Sequence, residues 1–217
     1  KSTLLNIMGL LDAPSSGKIE INGTSVENMK DKELAAFRNK TLGFVFQSFH
    51  LINSLNVLDN VELPLLYRKV SAKERRRLAE EVLKKVGLSH RMRHMPTQLS
   101  GGQCQRVAIA RAIALNPQYL FCDEPNSGLD PKTSLVIDEL IQDITREYNM
   151  TTLINTHDMN SVMGIGEKII YIYEGHKEWE GNKDDIFTST NERLNSFIFA
   201  SDLFRKVKEV EIQNLEG

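Results

Sequence analysis

The middle of the chain reads Gln118-Tyr119-Leu120-Phe121-Cys122-Asp123-Glu124-Pro125, an apolar run closed by two carboxylates and a proline. Residues 118–122 have the length and content of a buried strand in a parallel sheet. Ligands of open α/β sheets gather at the carboxyl ends of such strands. Asp123 could hold Mg²⁺, directly or through water, and Glu124 could orient or deprotonate a water molecule. For this pair alone, the alternative is a solvated turn before Pro125.

Upstream of this strand lies a second polar feature, the sequence Leu99-Ser100-Gly101-Gly102-Gln103. Residues 103–111 carry apolar and small side chains at helical spacing, so the motif is predicted to sit at a helix N-terminus. Free backbone N–H groups and the helix dipole favour an anion there, and glycine lets the backbone approach phosphate oxygens. The alternative is that Ser100 only caps the helix after a glycine turn. Together with Asp123 and Glu124, the motif indicates ATP.

The first three residues, Lys1-Ser2-Thr3, look like the end of a phosphate-binding loop, G-x-x-x-x-G-K-[ST], running into its helix. In such a loop Lys1 would meet the β- and γ-phosphates and Ser2 the Mg²⁺ ion. The glycines of the loop are absent, so we interpret the sequence as beginning inside it. A fragment without those glycines is expected to show little or no ATPase activity.

These motifs, in this order, resemble the ATP-binding subunits of ATP-binding-cassette (ABC) transporters over nearly the whole chain. The matching positions are Lys1-Ser2-Thr3 for the end of Walker A, Gln47 for the Q-loop, Leu99-Ser100-Gly101-Gly102-Gln103 for the signature motif, Asp123-Glu124 for Walker B, Ser127-Gly128-Leu129-Asp130 for the D-loop and His157 for the switch histidine. Because His157 follows a predicted strand over 151–155, it is expected at the same sheet edge as Glu124.

The resemblance implies an ATPase whose sites are shared between two subunits. Each ATP would lie between the phosphate loop of one subunit and the signature motif of the other, in a head-to-tail homodimer that docks on integral membrane permease subunits. The implied catalytic residues are Glu124 and His157; the implied nucleotide-binding residues are Lys1, Ser2, Thr3, Gln47, Ser100, Gly101, Gly102, Gln103 and Asp130; the implied Mg²⁺ ligands are Ser2, Gln47 and Asp123. In this interpretation Glu124 polarises the attacking water, His157 contacts the γ-phosphate and Asp130 couples the two sites.

The implied fold is α/β, a P-loop NTPase of the ABC-ATPase type with a mostly parallel sheet core, an antiparallel β edge and an inserted helical subdomain. The chain is interpreted as a single domain over 1–217, truncated at its N-terminus within the Walker A loop. The helical subdomain is placed at approximately 50–116 and a C-terminal tail at approximately 182–217. The main apolar points of the tail are Ile186-Phe187 and Phe197-Ile198-Phe199. They predict either a surface that faces a partner or simple packing on the core.

Local patterns add individual elements to this fold. Asn22-Gly23 predicts a hairpin turn, and residues 41–46 predict a strand. Ser71-x-x-Glu74 fits a capping box and Gly87 a C-terminal helix cap. Further predicted elements are an apolar helix stripe of Leu78, Val82 and Val86, strands that begin at Gln118, Thr151 and Lys168, and a helix over about 132–148. The alternation of strands and helices is that of a mostly parallel sheet.

Composition is ordinary for a globular protein: 217 residues, 41% hydrophobic, and a formal net charge of −2. It gives no indication of nucleic-acid binding, because the densest basic run, 73–77, is broken by acids and reads as a solvated helix face. No apolar stretch approaches the roughly 20 residues that span a bilayer, so a membrane role must come through a partner. We expect a peripheral subunit on the cytoplasmic face of the inner membrane, where ATP is available. Cys104 and Cys122 are expected to be free thiols.

The cargo signal is mixed. Segments 39–51 and 60–67 resemble the lipoprotein-releasing and macrolide-exporter group of ABC ATPases. Segments 156–162 and 191–197 resemble instead the ATPases of phospholipid-trafficking systems that maintain outer-membrane lipid asymmetry. Both resemblances imply a lipid or lipid-linked substrate in a bacterial envelope. A soluble ABC ATPase without a transport role is the alternative from another class.

Three other kinds of protein fit less well. A DNA-repair ABC ATPase would insert a long coiled coil where this chain has only residues 48–98, and these show no sustained heptads. A translation-associated ABC protein would carry two cassettes in tandem, and one is present here. A plain P-loop kinase or GTPase does not need residues 99–103. Cys104 and Asn126 depart from the commoner residues of ABC ATPases, at positions that the chemistry does not require.

Overall fold

The computed structural model describes residues 1–199 of the 217. They form two compact units: Ser2–Asn155, and Lys1 together with the segment that begins at Thr156. The predicted tail at 182–217 therefore lies partly outside the described residues, and the predicted domain limits remain predictions.

The first unit contains six helices and five strands within Ser2–Asn155. In chain order these are α1 Ser2–Met8, β1 Glu20–Ile21, β2 Thr24–Ser25, α2 Asp31–Thr41, β3 Leu42–Phe46, α3 Val57–Tyr67, α4 Ala72–Lys85, α5 Gly101–Ile113, β4 Tyr119–Asp123, α6 Pro131–Glu147 and β5 Thr151–Asn155. Two short 3-10 turns, Ser89–Arg91 and Pro96–Gln98, lie between α4 and α5.

The central sheet of this unit is parallel, with strand order β3-β4-β5. Leu120 and Cys122 of the middle strand are fully buried, as the apolar run predicted. Phe46, Asp123 and Asn155 are register partners across the three strands. The carboxyl ends of the strands therefore lie at one edge, which brings Asp123 between its two neighbours. The parallel α/β core that the sequence predicted is confirmed.

The hairpin at Asn22-Gly23 is also confirmed. Strands β1 and β2 pair antiparallel, with Ile21 opposite Thr24. Asn22 and Gly23 both have positive φ, 52° and 72°. Two left-handed residues in a two-residue loop give the turn whose twist matches that of the flanking strands. The next strand along the chain, β3, begins at Leu42, one residue later than predicted, because Thr41 still belongs to α2.

Helices α3, α4 and α5 occupy the region predicted as a helical subdomain. Val82 and Val86 are buried in one apolar cluster and Leu78 packs against it, so the predicted stripe is confirmed. Gly87 ends α4 with φ of 71°, as expected for a cap residue. The predicted capping box is only half formed. The Glu74 N–H donates to the Ser71 hydroxyl, whereas the Glu74 carboxylate accepts from Arg77, which competes for it one turn along the helix.

The second unit contains helices α7 Met159–Ile165, α8 Lys183–Thr188 and α9 Glu192–Ile198, with strands β6 Ile169–Tyr173 and β7 His176–Gly181. The strand predicted near Lys168 is present as β6, but it pairs antiparallel with β7 rather than extending a parallel alternation. The reason is a two-residue turn at Glu174-Gly175, where both residues have positive φ.

The apolar points of the tail pack within the second unit as far as the structure describes them. Ile186, Ile198 and Phe199 are buried in one cluster, whereas Phe197 is 43% exposed. Local packing therefore accounts for most of these side chains. Among the helices of residues 1–199, none combines the length and apolar character needed to cross a bilayer.

Candidate active site

Ser2, Asp123 and Asn155 meet at the carboxyl edge of the parallel sheet. The Ser2 hydroxyl donates to Asp123 Oδ1 at 3.0 Å. The Asn155 amide donates to the same carboxylate oxygen at 2.5 Å and lies 3.2 Å from the Ser2 hydroxyl. The parallel register brings Asn155 beside Asp123, and α1 brings Ser2 to them. The first residues of α1 and the end of β4, far apart in sequence, thus share one site, with exposed Thr3 next along α1.

Glu124 follows Asp123 in a left-handed backbone conformation, with φ of 47°. Non-glycine residues adopt this region uncommonly, and where they do, the surrounding structure has to fix them. The Glu124 N–H donates to the Asn155 carbonyl at 2.8 Å. One residue on, the Pro125 carbonyl accepts from the fully buried Gln105 amide at 2.7 Å. The backbone that carries Glu124 is therefore tied to β5 and to α5.

Asn126, the departure noted from the sequence, has a structural partner. Its amide donates to a carboxylate oxygen of Asp138 on α6 at 2.7 Å, and both side chains are buried. The loop after Glu124 is thereby also anchored to α6. The nearby Cys122 thiol is fully buried, and burial raises its pKa, with the charge of Asp138 adding to the shift. Cys104 and Cys122 are both free thiols, as expected.

Gln47 lies just after β3, exposed at the same sheet edge. Its amide donates to the Ser127 hydroxyl at 2.8 Å. Ser127 begins the segment that resembles a D-loop, so the segments that resemble the Q-loop and the D-loop are in direct contact. Asp130, at the other end of the D-loop, caps α6 by accepting from the N–H and the hydroxyl of Thr133 at 3.1 and 2.5 Å. Both hydrogen bonds lower the pKa of the Asp130 carboxyl, and the bond from the Thr133 hydroxyl has the larger effect.

Ser100 caps α5, and Gln103 completes a capping box. The Gln103 N–H donates to the Ser100 hydroxyl at 3.3 Å, and the Ser100 N–H donates to Gln103 Oε1 at 3.0 Å. Ser100 therefore does cap the helix, as the alternative interpretation of the motif predicted. Gly101 and Gly102 form the first turn, whose N–H groups an α-helix leaves without intrahelical partners.

The two glycines also have a packing reason. A Cβ atom on Gly102 would lie 2.4 Å from Thr133 Cγ2, and one on Gly101 would lie 3.1 Å from Leu129 Cδ2. At Gly102 the start of α5 therefore approaches α6 so closely that any larger residue requires Thr133 to move, whereas the contact at Gly101 is tight but less severe.

This contact predicts the effect of Gly102→Ala. The new methyl group must displace Thr133, whose hydroxyl holds Asp130, so we expect a loss of about 1–3 kcal/mol in the free energy of unfolding. Thr133→Ser removes the clashing methyl group but keeps the hydroxyl. The double variant should therefore recover most of the loss in a denaturant titration.

The control for this substitution is Gly164→Ala. Apart from the adjoining residues and backbone of its own helix, no heavy atom of the described residues lies within 4 Å of the Cβ position at Gly164, so this variant should be neutral or slightly stabilised. If Gly102→Ala destabilises the protein equally with and without Thr133→Ser, the close contact is not the cause.

Two predicted site residues belong to the second unit. The Lys1 ammonium donates to the Thr156 carbonyl at 3.3 Å and lies 5.6 Å from the centre of the Phe197 ring. His157 is exposed and follows Thr156 directly. Lys1 and His157 belong to a different compact unit from Ser2 and Asp123. Their roles at the phosphates therefore stay predictions.

The residues at the sheet edge fit a magnesium ion. Mg²⁺ prefers one or two carboxylates, with phosphate and water oxygens completing its octahedron. Asp123 supplies a carboxylate and Ser2 a hydroxyl oxygen 3.0 Å from it. Within residues 1–199, no cluster of three or more His, Cys, Asp or Glu side chains could hold a metal ion. The expected ion would thus depend on Ser2, Asp123 and the nucleotide itself, with Gln47 nearby at the edge.

Three residues around this site were not identified from the sequence as part of it: Gln105, Asp138 and Asn155. Only Asn155 had a usable signal, since it is a polar residue that ends an otherwise strand-like run at the predicted carboxyl edge. Gln105 and Asp138 sit on helices that were predicted, but nothing in their spacing shows that their side chains turn toward the loop after Glu124.

Comparison with known proteins gives this geometry a family. The profile of the ABC transporter family matches residues 1–127. An uncharacterised ABC transporter ATP-binding protein of Thermotoga maritima is 49% identical over 178 residues, which are 82% of this chain and 75% of that protein. The lipoprotein-releasing system ATP-binding protein LolD of Hahella chejuensis is 49% identical over 158 residues, 73% of this chain and 68% of that one.

Solved structures agree on the fold. The dimeric post-hydrolysis state of the ATP-binding cassette MJ0796, bound to ADP and Pi, superposes with a TM-score of 0.76 at 44% identity. The match covers 84% of this chain and 80% of that one. The fold and family that the motifs resembled are confirmed, and the chain belongs to the ABC transporter family as one of its ATP-binding, ATP-hydrolysing subunits.

Proposed function

We propose that this chain hydrolyses ATP in a head-to-tail homodimer and couples hydrolysis to movement of a lipid or lipid-linked substrate through partner membrane subunits. The observation that carries the proposal is the contact of Ser2 with Asp123 at the sheet edge, where Glu124 follows directly. The Ser2 hydroxyl and the Asp123 carboxylate are close enough to bind the same metal ion. The Glu124 carboxylate, one residue further along the chain, is suited to accept a proton from water.

The proposed roles of the site residues are of two kinds: some stabilise the negative charge of the phosphates, and one accepts a proton. Lys1, Ser2 and Thr3 would bind the phosphates of the subunit's own ATP, and Gln47 would contact the metal ion and the attacking water. Mg²⁺, when bound, neutralises charge on the β- and γ-phosphates. Glu124 accepts the proton of the attacking water. His157 steadies the charge that develops on the γ-phosphate.

The signature motif is proposed to serve the ATP of the partner subunit. Support comes from the surroundings of its glycines, which pack on Leu129 and Thr133 of the D-loop region. The first N–H groups of α5 and the D-loop thus form one continuous surface. Asp130 ends that surface, which is why we assign it to coupling between the two sites. The MJ0796 cassette, solved as a dimer with ADP and Pi, supports the same assembly.

The cargo is proposed from relatives. The 49% identity to LolD, a lipoprotein-releasing system ATP-binding protein, supports a lipid-linked substrate. We assign the subunit to a peripheral position on the cytoplasmic face of the inner membrane, where ATP is available. A phospholipid-trafficking ATPase is the second candidate, favoured by residues 156–162 and 191–197. Mass spectrometry of lipid that co-purifies with the complete complex distinguishes them, and purification without any membrane subunit would favour the soluble alternative.

Mixed dimers test the shared site. Ser100→Arg blocks the signature motif and Glu124→Gln removes the base. In the head-to-tail arrangement, a Ser100→Arg subunit paired with a Glu124→Gln subunit retains one intact site, because the intact base and the intact signature motif face the same ATP. When one subunit carries both substitutions and the other is wild type, both sites are broken.

The measurement is single-turnover ATP hydrolysis by tandem-tagged heterodimers of the complete protein. We expect phosphate release from the first pairing and none from the second. Sites contained within one subunit give the opposite result, since the wild-type subunit of the second pairing would then hydrolyse its own ATP. Both pairings carry the same two substitutions, so each is the stability control of the other.

A further inference from the structure

Asn155 contacts three residues of the proposed hydrolysis site at once. Its side-chain amide lies 2.5 Å from Asp123 Oδ1 and 3.2 Å from the Ser2 hydroxyl, and its backbone carbonyl accepts from the Glu124 N–H at 2.8 Å. We propose that Asn155 is a positioning residue for the metal–nucleotide complex. Its amide holds the Asp123 carboxylate and the Ser2 hydroxyl in the orientation that a magnesium ion requires. This inference rests on the proposed function.

The position of Asn155 gives its amide this role. Asn155 is the last residue of β5 and the register partner of Asp123, so the two side chains start from adjacent points of the sheet edge. A carboxylate on a strand end can rotate, whereas a magnesium ion accepts only near-ideal octahedral geometry. A donor that fixes one carboxylate oxygen orients the group before the ion arrives, as outer partners of metal ligands generally do.

The chemistry of an amide suits this position better than other polar groups. A carboxylate at position 155 would repel Asp123 at the observed separation, and a lysine would compete with the metal ion for the same oxygen. The neutral amide donates a hydrogen bond without adding charge. It thereby leaves the charge of Asp123 available to the ion.

The backbone hydrogen bond between the Asn155 carbonyl and the Glu124 N–H allows the role of the Asn155 side chain to be tested apart from the local fold. The carbonyl that accepts from Glu124 is present whatever the side chain at position 155, so a substitution removes the amide contacts and keeps the support of Glu124. Asn155→Leu is close to asparagine in shape and lacks the donor. The expected defect is therefore confined to Ser2, Asp123 and what they bind.

The experiment measures binding of Mn²⁺, a spectroscopic substitute for Mg²⁺, to the complete protein in the presence of ADP. Electron paramagnetic resonance counts the free ion. Asn155→Leu should weaken Mn²⁺ binding about 10–100-fold, the usual effect of losing an outer partner of a metal ligand. The affinity for ADP without metal and the metal-free unfolding temperature should not change.

The matched control is Thr152→Val on the same strand, which removes a side-chain hydrogen bond of Thr152 with Thr145 away from the site. It should bind Mn²⁺ as the wild type does. Wild-type Mn²⁺ affinity in Asn155→Leu overturns the positioning role, and so does a defect that a lowered metal-free unfolding temperature explains. If the wild type itself binds Mn²⁺ no better with ADP than without, the proposed function fails instead.

Discussion

Glu124→Gln is expected to reduce ATP turnover by at least about 100-fold while preserving ATP-dependent dimerisation. Glutamine has nearly the shape of glutamate, but its amide cannot accept the proton of the attacking water. The backbone at position 124 does not depend on the carboxylate, because the Glu124 N–H donates to the Asn155 carbonyl. ATP should therefore bind, close the dimer and remain unhydrolysed.

Two measurements on the complete protein check this expectation: phosphate release under saturating ATP, and the mass of the complex by light scattering with and without ATP. A dimer that persists with ATP and dissociates with ADP is the expected pattern. The control is Glu174→Gln in the turn between β6 and β7. Glu174 shares the left-handed backbone of Glu124, with φ of 46°, so it reports any effect of glutamine on that conformation.

Turnover at the wild-type rate in Glu124→Gln would assign the proton transfer to another group. Loss of both turnover and dimerisation would show instead that the carboxylate is needed to assemble the site. The control Glu174→Gln should hydrolyse ATP and dimerise as the wild type does.

Local sequence determined the elements around this site well. The run over 118–122 is a buried parallel strand because its apolar content allows little else, and Asn22-Gly23 is a hairpin turn because both residues tolerate positive φ. The parallel pairing of β3, β4 and β5 also followed, since short strands separated by helices favour it. The sequence thus predicted which side chains end at the carboxyl edge of the sheet.

Contacts between elements were harder to predict. The bond of Asn155 to Asp123 depends on the register of β4 and β5, and a shift of one residue would turn the side chain to the other face. The pairing of Gln47 with Ser127 joins two loops 80 residues apart. Periodicity carries no information about either contact, because it describes each element alone.

Segment 99–103, which resembles the signature motif, shows a second reason why sequence alone did not predict the site in full. Serine followed by two glycines is compatible with a cap, an anion site or a close helix contact, and the sequence does not choose among them. In the structure Ser100 is a cap and Gly102 a close contact with Thr133. The free N–H groups of the same turn leave the anion site available. One short motif therefore meets several requirements, which a single interpretation from sequence would have missed.

Asp138→Ala is expected to destabilise the protein by about 1–3 kcal/mol for the lost hydrogen bond, with a further cost for the space left behind. Asp138 and Asn126 are 5% and 8% exposed, and their bond of 2.7 Å lies in the interior. Alanine leaves the Asn126 amide without this acceptor, where water cannot replace it easily. For a protein of this size, each kcal/mol lowers the unfolding temperature by roughly 2–4 °C, so calorimetry resolves the effect.

A double-variant cycle separates the bond from the cavity. Asn126→Ala removes the other partner, so the combined variant should lose less stability than the sum of the two single variants. Asp143→Ala, an exposed aspartate on the same helix, is the matched control and should change stability by less than about 0.5 kcal/mol. Additive losses would mean that the two side chains contribute separately. Because Asn126 lies two residues after Glu124, a coupled loss with reduced turnover would tie the anchor on α6 to the placement of the base, whereas a coupled loss with normal turnover would confine the pair to stability.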